Sequence, residues 1–557
     1  MKTLHRSKAR CIFIVVIFLA SILACGESGT MVPTPASVEP TAVPSPSDIV
    51  HEFYTSPAGH GNACTLEVPC SLETACDKVR SVNKDMTGDI VVYLRGGIYT
   101  LTETLTFGPE DAGSNGHYIV YRAYQNESPH FSGGQQIAGW TDLGNGIYQA
   151  PVDLGRFRQL YVNGQRAIRA RTPNMTDPAT FGPYHRLLSW DSKSRGIKIQ
   201  KEAITDWRGL NDVEMVIKKH WNQSRLRIDS YSMFEDHALV TFREPEVSAE
   251  WSFEWPPKDS QQSYYFENSL DFLDTEKEWF LDTETQTLYY MPHGDEDLLS
   301  SVVIAPVLER LVDINDAHHL KFENIVFEHV NWDMPNEAHF GLQSGWRLEW
   351  GMIPGGVRLV NAHHIRFEEN TFQHMGGGGI EFSHSTHDNV IHNNIITDIS
   401  GNGITVYTDT DNDNPPEEHQ SRHDIISHNQ ISRIGQDYTG STGINATYPQ
   451  GIIIEHNEVW DMPSTGISVG WGWTGETTAL RDNIIRYNNV HHVMQLHDDG
   501  AGIYTLSKQP GTHLLENHVH DLQHSEWAVQ DWPIAGTRLV TVSITGITNP
   551  TLACCVG

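Results

Sequence analysis

The sequence predicts an all-β chain, folded as a right-handed parallel β-helix (a solenoid) with a β-rich insertion or subdomain in its N-terminal half. Three observations lead there. The 557 residues exceed one ordinary compact domain, but a solenoid grows by stacking coils. Gly is abundant at 46 residues, which favours strands and turns over helices. From about residue 300 the sequence also repeats itself imperfectly.

Each repeat has alternating apolar residues, then Asn, then apolar residues at the second and fifth positions after it. The Asn residues are Asn370, Asn394, Asn429, Asn457, Asn488 and Asn517. Alternation points one set of side chains into the coil. A bend between strands leaves backbone groups without partners, and an Asn amide can satisfy them while also bonding to the next Asn. We therefore predict an internal Asn ladder.

The organisation follows from changes in composition. The segment between the early strands and the repeats is rich in Trp and charge and lacks the Asn pattern, so we interpret it as an insertion. The predicted segments are a signal peptide at 1–25, a Pro/Ser/Thr-rich linker at 26–48, N-terminal coils at 49–171, the insertion at 172–299, coils with the active-site face at 300–536, and an aberrant segment at 537–557.

The N-terminus has the pattern of an export signal. A basic start precedes an apolar run, residues 11–24, that is too short to span a membrane comfortably. The run ends in Leu-Ala-Cys-Gly, which resembles a lipoprotein cleavage box with Cys25 as the lipidated residue. We expect an exported protein, either lipid-anchored at the cell envelope through Cys25 or plainly secreted.

Composition changes abruptly after Gly536. Residues 537–557 contain no Asp, Glu or His and include the pair Cys554 and Cys555. We interpret this segment as a frameshifted or truncated C-terminus.

The charge balance limits the partners. There are 38 Lys and Arg against 70 Asp and Glu, a formal net charge of −32. Such a surface repels phosphate backbones and anionic lipid, so nucleic acid and direct electrostatic binding to membranes are excluded. A neutral polysaccharide or oligosaccharide is compatible, whereas a polyanion needs a local basic cleft that the sequence does not reveal. We expect a monomer.

The cysteines predict a disulfide, and the acidic cluster lacks the full pattern of a metal-binding loop. Cys64 and Cys70 would close a short loop in an exported protein, and no His at ligand spacing accompanies them. Residues 409–413 (DTDND) resemble a loose Ca²⁺ loop, but the turn Gly and the distal Glu are out of register. We therefore predict no metal and no cofactor, with Ca²⁺ as the one alternative.

An ordered series of segments resembles a known family. In order they are FYTSPAGHGNACTLEVPCSLETA, VVYLRGGIYTLTETLTF, FSGGQQIAGW, RQLYVNGQRAIRART, EWFLDTETQTLYYMP and DDGAGIYTLSKQPGTHLLENHVHDL. The series, over about residues 52–536, resembles the right-handed β-helix proteins around glycoside hydrolase family 141. The resemblance implies a glycosidase acting on plant-type polysaccharide, with α-L-fucosidase and xylanase among the family's activities.

Glycoside hydrolysis needs two carboxyl groups across the scissile bond. The resemblance points to Asp499 in HDDGAGIYT, with Asp498 adjacent; the alternative is a solvated turn. Gly500 and Gly502 are expected to let a sugar approach the backbone. Related proteins carry a second Asp after a PIAG-like stretch. That Asp is missing here, so Asp531 is the remaining substitute, and the chain would be inactive if no second carboxylate is present.

Aromatic and polar side chains near these segments are candidates for substrate binding, because sugar C–H faces pack on rings. They are Trp346, Trp350, Trp471, Trp473, His497 and Tyr504. For Trp471 and Trp473 the alternative is packing under a long loop. Two other functions stay open. One is a polysaccharide lyase, which needs a Lys or Arg base and usually Ca²⁺, and the other is a non-catalytic carbohydrate-binding or adhesin β-helix.

Overall fold

The computed structural model describes residues 49–175, 181–205, 207, 209–210, 212–252, 258–334, 352–407, 412–472, 474–522, 525–527 and 541–542. The predicted β-helix is confirmed, since the described residues form three long parallel sheets, with ten, nine and nine strands. Each strand pairs with the equivalent strand of the coil before and after it. For example, His363–Glu368 lies between His318–Glu323 and Val390–His392.

Sheet 1 has ten strands: Ile49–Thr55, Asp89–Leu94, Ile119–Ala123, His318–Glu323, His363–Glu368, Val390–His392, Ile425–Ser427, Ile453–Glu455, Ile484–Arg486 and His513–Leu515. Sheet 2 has nine: Gly97–Thr100, Pro129–Ser132, Val326–Val330, Thr371–Met375, Ile395–Ile399, Gln430–Ile434, Glu458–Trp460, Asn489–His491 and His518–His520. Sheet 3 has nine: Leu105–Phe107, Val312–Asn315, Gly355–Val360, Gly378–Phe382, Ile404–Val406, Ile444–Ala446, Ile467–Val469, Ile503–Thr505 and Thr541–Val542.

The interior of the coils is a continuous apolar column. In the first coils it is aromatic, with Phe322 stacked on Phe367 and Phe327 stacked on Phe372, each pair 4.9 Å between ring centroids. Later coils place Ile and Val at the same inward positions. Since one coil cannot bury its own inward face, this stacking is the main source of stability.

The Asn ladder is confirmed by its hydrogen bonds. The side-chain amides of Asn370, Asn394, Asn429, Asn457 and Asn488 each donate to Oδ1 of the next Asn along the ladder, at 2.9–3.2 Å. Each amide also reaches a carbonyl of the preceding coil, as Asn429 does to Ile391. The bend between sheets 1 and 2 therefore keeps its buried polar groups satisfied.

Near the first coil, the helix Leu72–Val82 packs against the column. Ser71 caps its N-terminus by accepting from the backbone N–H of Thr74. Its apolar face, including Ala75 and Val79, joins the core of the coils. Just before it, Cys64 and Cys70 are joined by a disulfide. No helix in the described part of the chain is long and apolar enough to cross a membrane.

Between Ser132 and Val312 the chain leaves the parallel sheets. It forms a four-stranded sheet (Gln165–Arg166, Tyr161–Val162, Val303–Pro306, Gly134–Gln136), a five-stranded sheet (Ile168–Arg169, Glu278–Asp282, Thr287–Tyr290, Tyr148–Pro151, Thr141–Asp142) and an eight-stranded sheet (Arg171–Thr172, His185–Arg186, Ser263–Glu267, Glu214–Lys218, Gln223–Met233, Ala238–Phe242, Gly196–Ile199, Ser189–Asp191). The second α-helix, Glu246–Ser252, and the short 3₁₀ turns Lys201–Ala203 and Leu270–Phe272 lie in the same segment. Two further 3₁₀ turns, Pro109–Asp111 and Glu417–His419, lie outside it.

This excursion, which we call the insertion, has cores of its own. It begins ahead of residue 172, the boundary expected from the sequence. The reason is local: Asn163 and Gly164 both have positive φ and make a tight hairpin turn, so Tyr161–Val162 pairs antiparallel with Gln165–Arg166 and does not stack as a coil.

Candidate active site

The two adjacent aspartates lie in the turn that leads into the sheet 3 strand Ile503–Thr505. Their backbone N–H groups both donate to the carbonyl oxygen of His220, at 3.0 Å for Asp498 and 3.1 Å for Asp499. His220 follows the insertion strand Glu214–Lys218. The insertion thus closes directly over the turn that the sequence singled out.

Asp498 is held from several sides. Its Oδ1 lies 3.1 Å from Nδ1 of His220, and its Oδ2 lies 3.5 Å from Nζ of Lys218. On the far side of the imidazole, Nε2 lies 3.0 Å from Oδ2 of Asp259. The side chain of Asp498 is only 3% exposed, whereas that of Asp259 is 38% exposed. A line of groups therefore runs from a buried carboxylate through an imidazole to a carboxylate at the surface.

This arrangement changes the role expected for Asp498. A carboxylate that is almost fully buried and already bonded to two cations cannot also contact a sugar. Asp498 is better described as a positioning residue that fixes His220 and the turn. The neighbouring Asp499 is half-buried and remains the candidate for contact with the substrate.

The pKa values of the two basic side chains beside Asp498 are shifted in opposite directions. Burial disfavours the charged form of His220, but the hydrogen bonds and charges of Asp498 and Asp259 outweigh it and raise the pKa of the imidazole. Burial lowers the pKa of Lys218 to about 8, although Asp498 partly opposes the shift. The raised pKa extends the pH range over which His220 is protonated and donates from both ring nitrogens, while Lys218 can lose its proton in mildly alkaline solution.

Gly500 and Gly502 were expected to let a sugar approach the backbone, but side chains of neighbouring coils fill the space beside each of them. A Cβ on Gly500 would lie 2.5 Å from Oγ1 of Thr465, and one on Gly502 would lie 2.3 Å from Cγ1 of Val519. Both glycines are needed because neighbouring coils approach too closely for any side chain.

His497 is also placed differently from its expected substrate-binding role. Its residue is 1% exposed, and its Nδ1 donates to the carbonyl of Lys219 while Nε2 lies 2.9 Å from Oγ1 of Thr439. Burial lowers the pKa of His497 to about 3. The ring is a neutral link between the insertion and the coils, and no sugar can reach it in this conformation.

The remaining predicted residues divide into two groups. Trp471 is half-buried and packs against the core of the coils, and Tyr504 is half-buried in its sheet 3 strand, opposite Ser468. The others lie outside the described residues: Cys25, Trp346, Trp350, Trp473 and Asp531, together with Asp409 and Asp411 of the acidic loop.

Sequence reasoning missed Lys218, His220 and Asp259, because they belong to the insertion and carry no repeat pattern. A usable signal was present. Lys218, Lys219 and His220 form a basic triplet in a chain of net charge −32. Burial of such a triplet requires carboxylate partners, and these partners are Asp498 for Lys218 and His220, and Glu250 for Lys219.

Among the residues that the structure describes, two groups of side chains have the spacing of metal ligands. One is His319, His363 and His364, and the other is Glu328, His329 and His374. The first group belongs to stacked rows of rings on successive coils, where His319 lies 4.7 Å from His364 between centroids. Burial lowers the pKa of both His319 and His363 to about 4, so these rings are neutral at physiological pH. Stacking between coils explains the rows without a metal.

Both the insertion and the coils resemble parts of known proteins. A family model described as the GH141 insertion domain matches residues 147–293, and a model of the right-handed β-helix region matches 312–415 and 356–528. A solved structure described as a glycoside hydrolase is 28% identical, with a TM-score of 0.79 over 86% of this chain and 89% of that chain. No curated protein sequence matches this chain.

Two further solved structures are similar only at a general level. The complex of XylC with xylose has a TM-score of 0.41 at 12% identity, covering 84% of this chain and 69% of that chain. The GH136 lacto-N-biosidase from Eubacterium ramulus has a TM-score of 0.40 at 12% identity, covering 84% and 56%. Neither bears on function.

The fold and the site define the class: a right-handed parallel β-helix in which an insertion domain closes over a carboxylate-bearing turn. With the matched insertion domain and the similar hydrolase, the chain resembles the glycoside hydrolases of family 141.

Proposed function

We propose that this protein is an extracytoplasmic glycoside hydrolase that acts on a plant-type polysaccharide, with α-L-fucosidase or xylanase-like specificity. The observation that carries the proposal is the position of Asp499, partly exposed in a turn that the insertion holds from above through the carbonyl of His220. A carboxyl that the surrounding backbone holds in a fixed position is what acid–base or nucleophilic chemistry at a glycosidic bond requires.

The neighbouring groups have distinct roles in this proposal. Asp498 and His220 fix the backbone of the turn and hence the position of Asp499. The second carboxyl is a choice between Asp259, which the structure brings to the other side of His220, and Asp531. Replacing each separately with Asn tells them apart, since loss of the true second carboxyl abolishes hydrolysis, whereas Asp259 acting only as a partner of His220 would leave part of the activity after its replacement.

Location is part of the proposal. An apolar N-terminal run that ends in Leu-Ala-Cys-Gly supports export, either with a lipid on Cys25 or by plain secretion. Labelled palmitate that enters the wild-type chain but not Cys25→Ser would establish the anchor. Secretion of unlabelled wild-type protein into the medium would establish the second form.

The function is tested by incubating the full chain with a panel of plant polysaccharides and analysing the products. Free fucose or xylo-oligosaccharides with ordinary reducing ends support hydrolysis. The experiment includes Asp236→Asn, an exposed control in the insertion, to show that loss of one surface carboxylate has no effect. Absence of any product over the panel would count against the enzyme and favour a binding protein.

One observation favours a second candidate, a polysaccharide lyase. The coils are poor in Lys, but the insertion supplies Lys218 beside Asp498, and burial lowers the pKa of that amine to about 8. A lysine that can lose its proton near neutral pH suits the abstraction of a proton beside a uronate carboxylate. A lyase leaves an unsaturated uronate that absorbs in the ultraviolet, so the same panel separates elimination from hydrolysis.

A further inference from the structure

A cavity of about 120 Å³ lies where the insertion meets the coils. Its lining is basic, although the chain as a whole carries a net charge of −32. The cations that line it are Arg166, Arg169, Arg171, Lys218, Arg225 and Arg433, against the carboxylates Glu267 and Asp437. This is the local basic cleft that the composition alone does not reveal.

Most of these cations are neutralised nearby. Arg166 pairs with Asp398 and Asp437. Arg169 and Arg225 both pair with Glu267, and both also reach Glu214 behind it. These ion pairs tie the insertion together and fasten it to the coils, so they do not by themselves indicate a ligand.

Arg171 is different. It is only 5% exposed, and within the described part of the chain its Nε and Nη2 atoms have no hydrogen-bond partner and no carboxylate pairs with its guanidinium. The guanidinium lies over the ring of Tyr265, 3.7 Å from the centroid. Stacking engages the face of the guanidinium, and the side chain of Tyr184 bonds to it through a neutral hydroxyl, so no anion among the described residues balances the charge of Arg171.

A buried cation without an anion is costly, and an anionic ligand would remove that cost. The cavity also adjoins the candidate active site, because Lys218 lines it and places Nζ 3.5 Å from Oδ2 of Asp498. A volume of this size holds several water molecules and therefore also a carboxylate or sulfate group with part of its sugar ring.

We propose that this cavity is a subsite for an anionic group on the glycan, a uronic acid carboxylate or a sulfate ester, and that Arg171 is the residue that recognises it. The inference rests on the proposed function and narrows its substrate class: the hydrolase acts next to an acidic sugar in an otherwise neutral polysaccharide.

The test is calorimetric titration of the full chain with three probes: methyl β-D-glucuronide, D-glucose 6-sulfate and the neutral methyl β-D-glucoside. We expect at least one anionic probe to bind about tenfold or more tightly than the glucoside. The anionic probe that binds more tightly shows whether the cavity prefers a carboxylate or a sulfate group. This comparison uses only the wild-type protein and does not depend on a variant that folds.

Variants then assign the residue. Arg171→Gln should weaken binding of the preferred anionic probe on the order of tenfold to a hundredfold, to the level of the glucoside, because a charge-assisted contact is lost. Arg171→Lys should retain part of the preference, since the charge remains and the planar edge does not. Arg195→Gln, an exposed arginine of the insertion paired with Glu244, should change nothing.

Equal binding of charged and neutral probes by the wild type would overturn the inference, as would full anion affinity in a folded Arg171→Gln protein. Either failure leaves the proposed function intact if the polysaccharide panel is still hydrolysed. Conversely, anion binding that depends on Arg171 without hydrolysis of any glycan would support the subsite and count against the enzyme.

Discussion

The Nδ1 atom of His220 lies 3.1 Å from Oδ1 of Asp498, which links a residue of the insertion to a residue of the coils 278 positions later in the chain. Both side chains are buried from solvent, His220 entirely. The contact joins the insertion to the coils at the candidate active site. The turn that carries Asp499 belongs to the coils, and the insertion holds it in place through His220.

Replacing His220 with Gln should lower kcat on a hydrolysed glycan by about tenfold to a hundredfold with little change in KM, because the turn loses its support and the substrate keeps its other contacts. The pH profile should change as well. With its raised pKa, His220 stays protonated at pH values where an ordinary imidazole is neutral, so a wild-type decline of activity in the alkaline limb should be missing or displaced in the variant. His237→Gln, a partly exposed histidine of the same insertion, is the matched control. An unchanged kcat and pH profile in His220→Gln would show that the contact is only structural.

The Asn ladder should be most sensitive at its middle. The Asn429 amide donates to Ile391 and to Asn457, and its Oδ1 accepts from the backbone and the side chain of Asn394. Asn429→Ala leaves these buried groups unpaired and should lower the free energy of unfolding by about 3 kcal/mol or more. Asn517→Ala, at the half-buried end of the described ladder, should cost clearly less in the same urea titration. Equal costs would mean that the ladder is not what satisfies the bend.

Asn389 and Asp424 lie just before the sheet 1 strands Val390–His392 and Ile425–Ser427 of successive coils, and their contact is incompletely satisfied. Asp424 accepts from the backbone and the side chain of Asn389, but its other oxygen, Oδ2, is buried without a partner among the described residues. Burial raises the pKa of Asp424 to about 7. A raised carboxyl pKa means that the folded state binds more protons than the unfolded state between about pH 4 and 7, so stability falls as pH rises through that window.

Asp424→Asn should remove this dependence. We expect the variant to be more stable than the wild type at pH 8, on the order of 1–4 kcal/mol, and nearly equal to it at pH 4. Thermal or urea unfolding at the two pH values measures the difference. A variant that is less stable at both would show that the carboxyl makes a contact that an amide cannot replace.

The junction of insertion and coils should weaken in acid. Burial raises the pKa of Asp437, but Arg166, Arg225 and the hydrogen bonds of Ser400 and Gln159 outweigh it and lower the pKa to about 2. A lowered carboxyl pKa contributes stability that is present above about pH 4 and is lost as pH falls through about 2. Asp437→Asn should remove this acid dependence, on the order of 2 kcal/mol, and should speed hydrogen exchange around Arg166 already at pH 7. Unaltered exchange there would show that the pair does not fasten the insertion.

The coils were predictable because their pattern is local and periodic. The six Asn residues and the alternating apolar positions repeat in the coils from His363–Glu368 onward, so the hydrogen bonding of one bend predicts that of the others. The site was predictable only in part. Asp499 stands in a recognisable segment, but the burial of Asp498 and His497 depends on His220 and Lys219, which are far away in sequence and belong to no repeat. The basic cavity escaped for the same reason, since it is assembled from side chains of several sheets in a chain that is acidic overall.

The most direct test of the account is the rate of glycan hydrolysis by Asp499→Asn and Asp498→Asn beside the wild type, on the substrate that the panel identifies. We predict that Asp499→Asn loses at least about a hundredfold in kcat with KM retained, because a carboxyl that acts at the glycosidic bond is removed. Asp498→Asn should lose less and should also unfold at a lower temperature, since it leaves two buried cations short of a partner. An Asp499→Asn protein that hydrolyses the substrate at the wild-type rate would contradict the account and move the catalytic centre away from this turn.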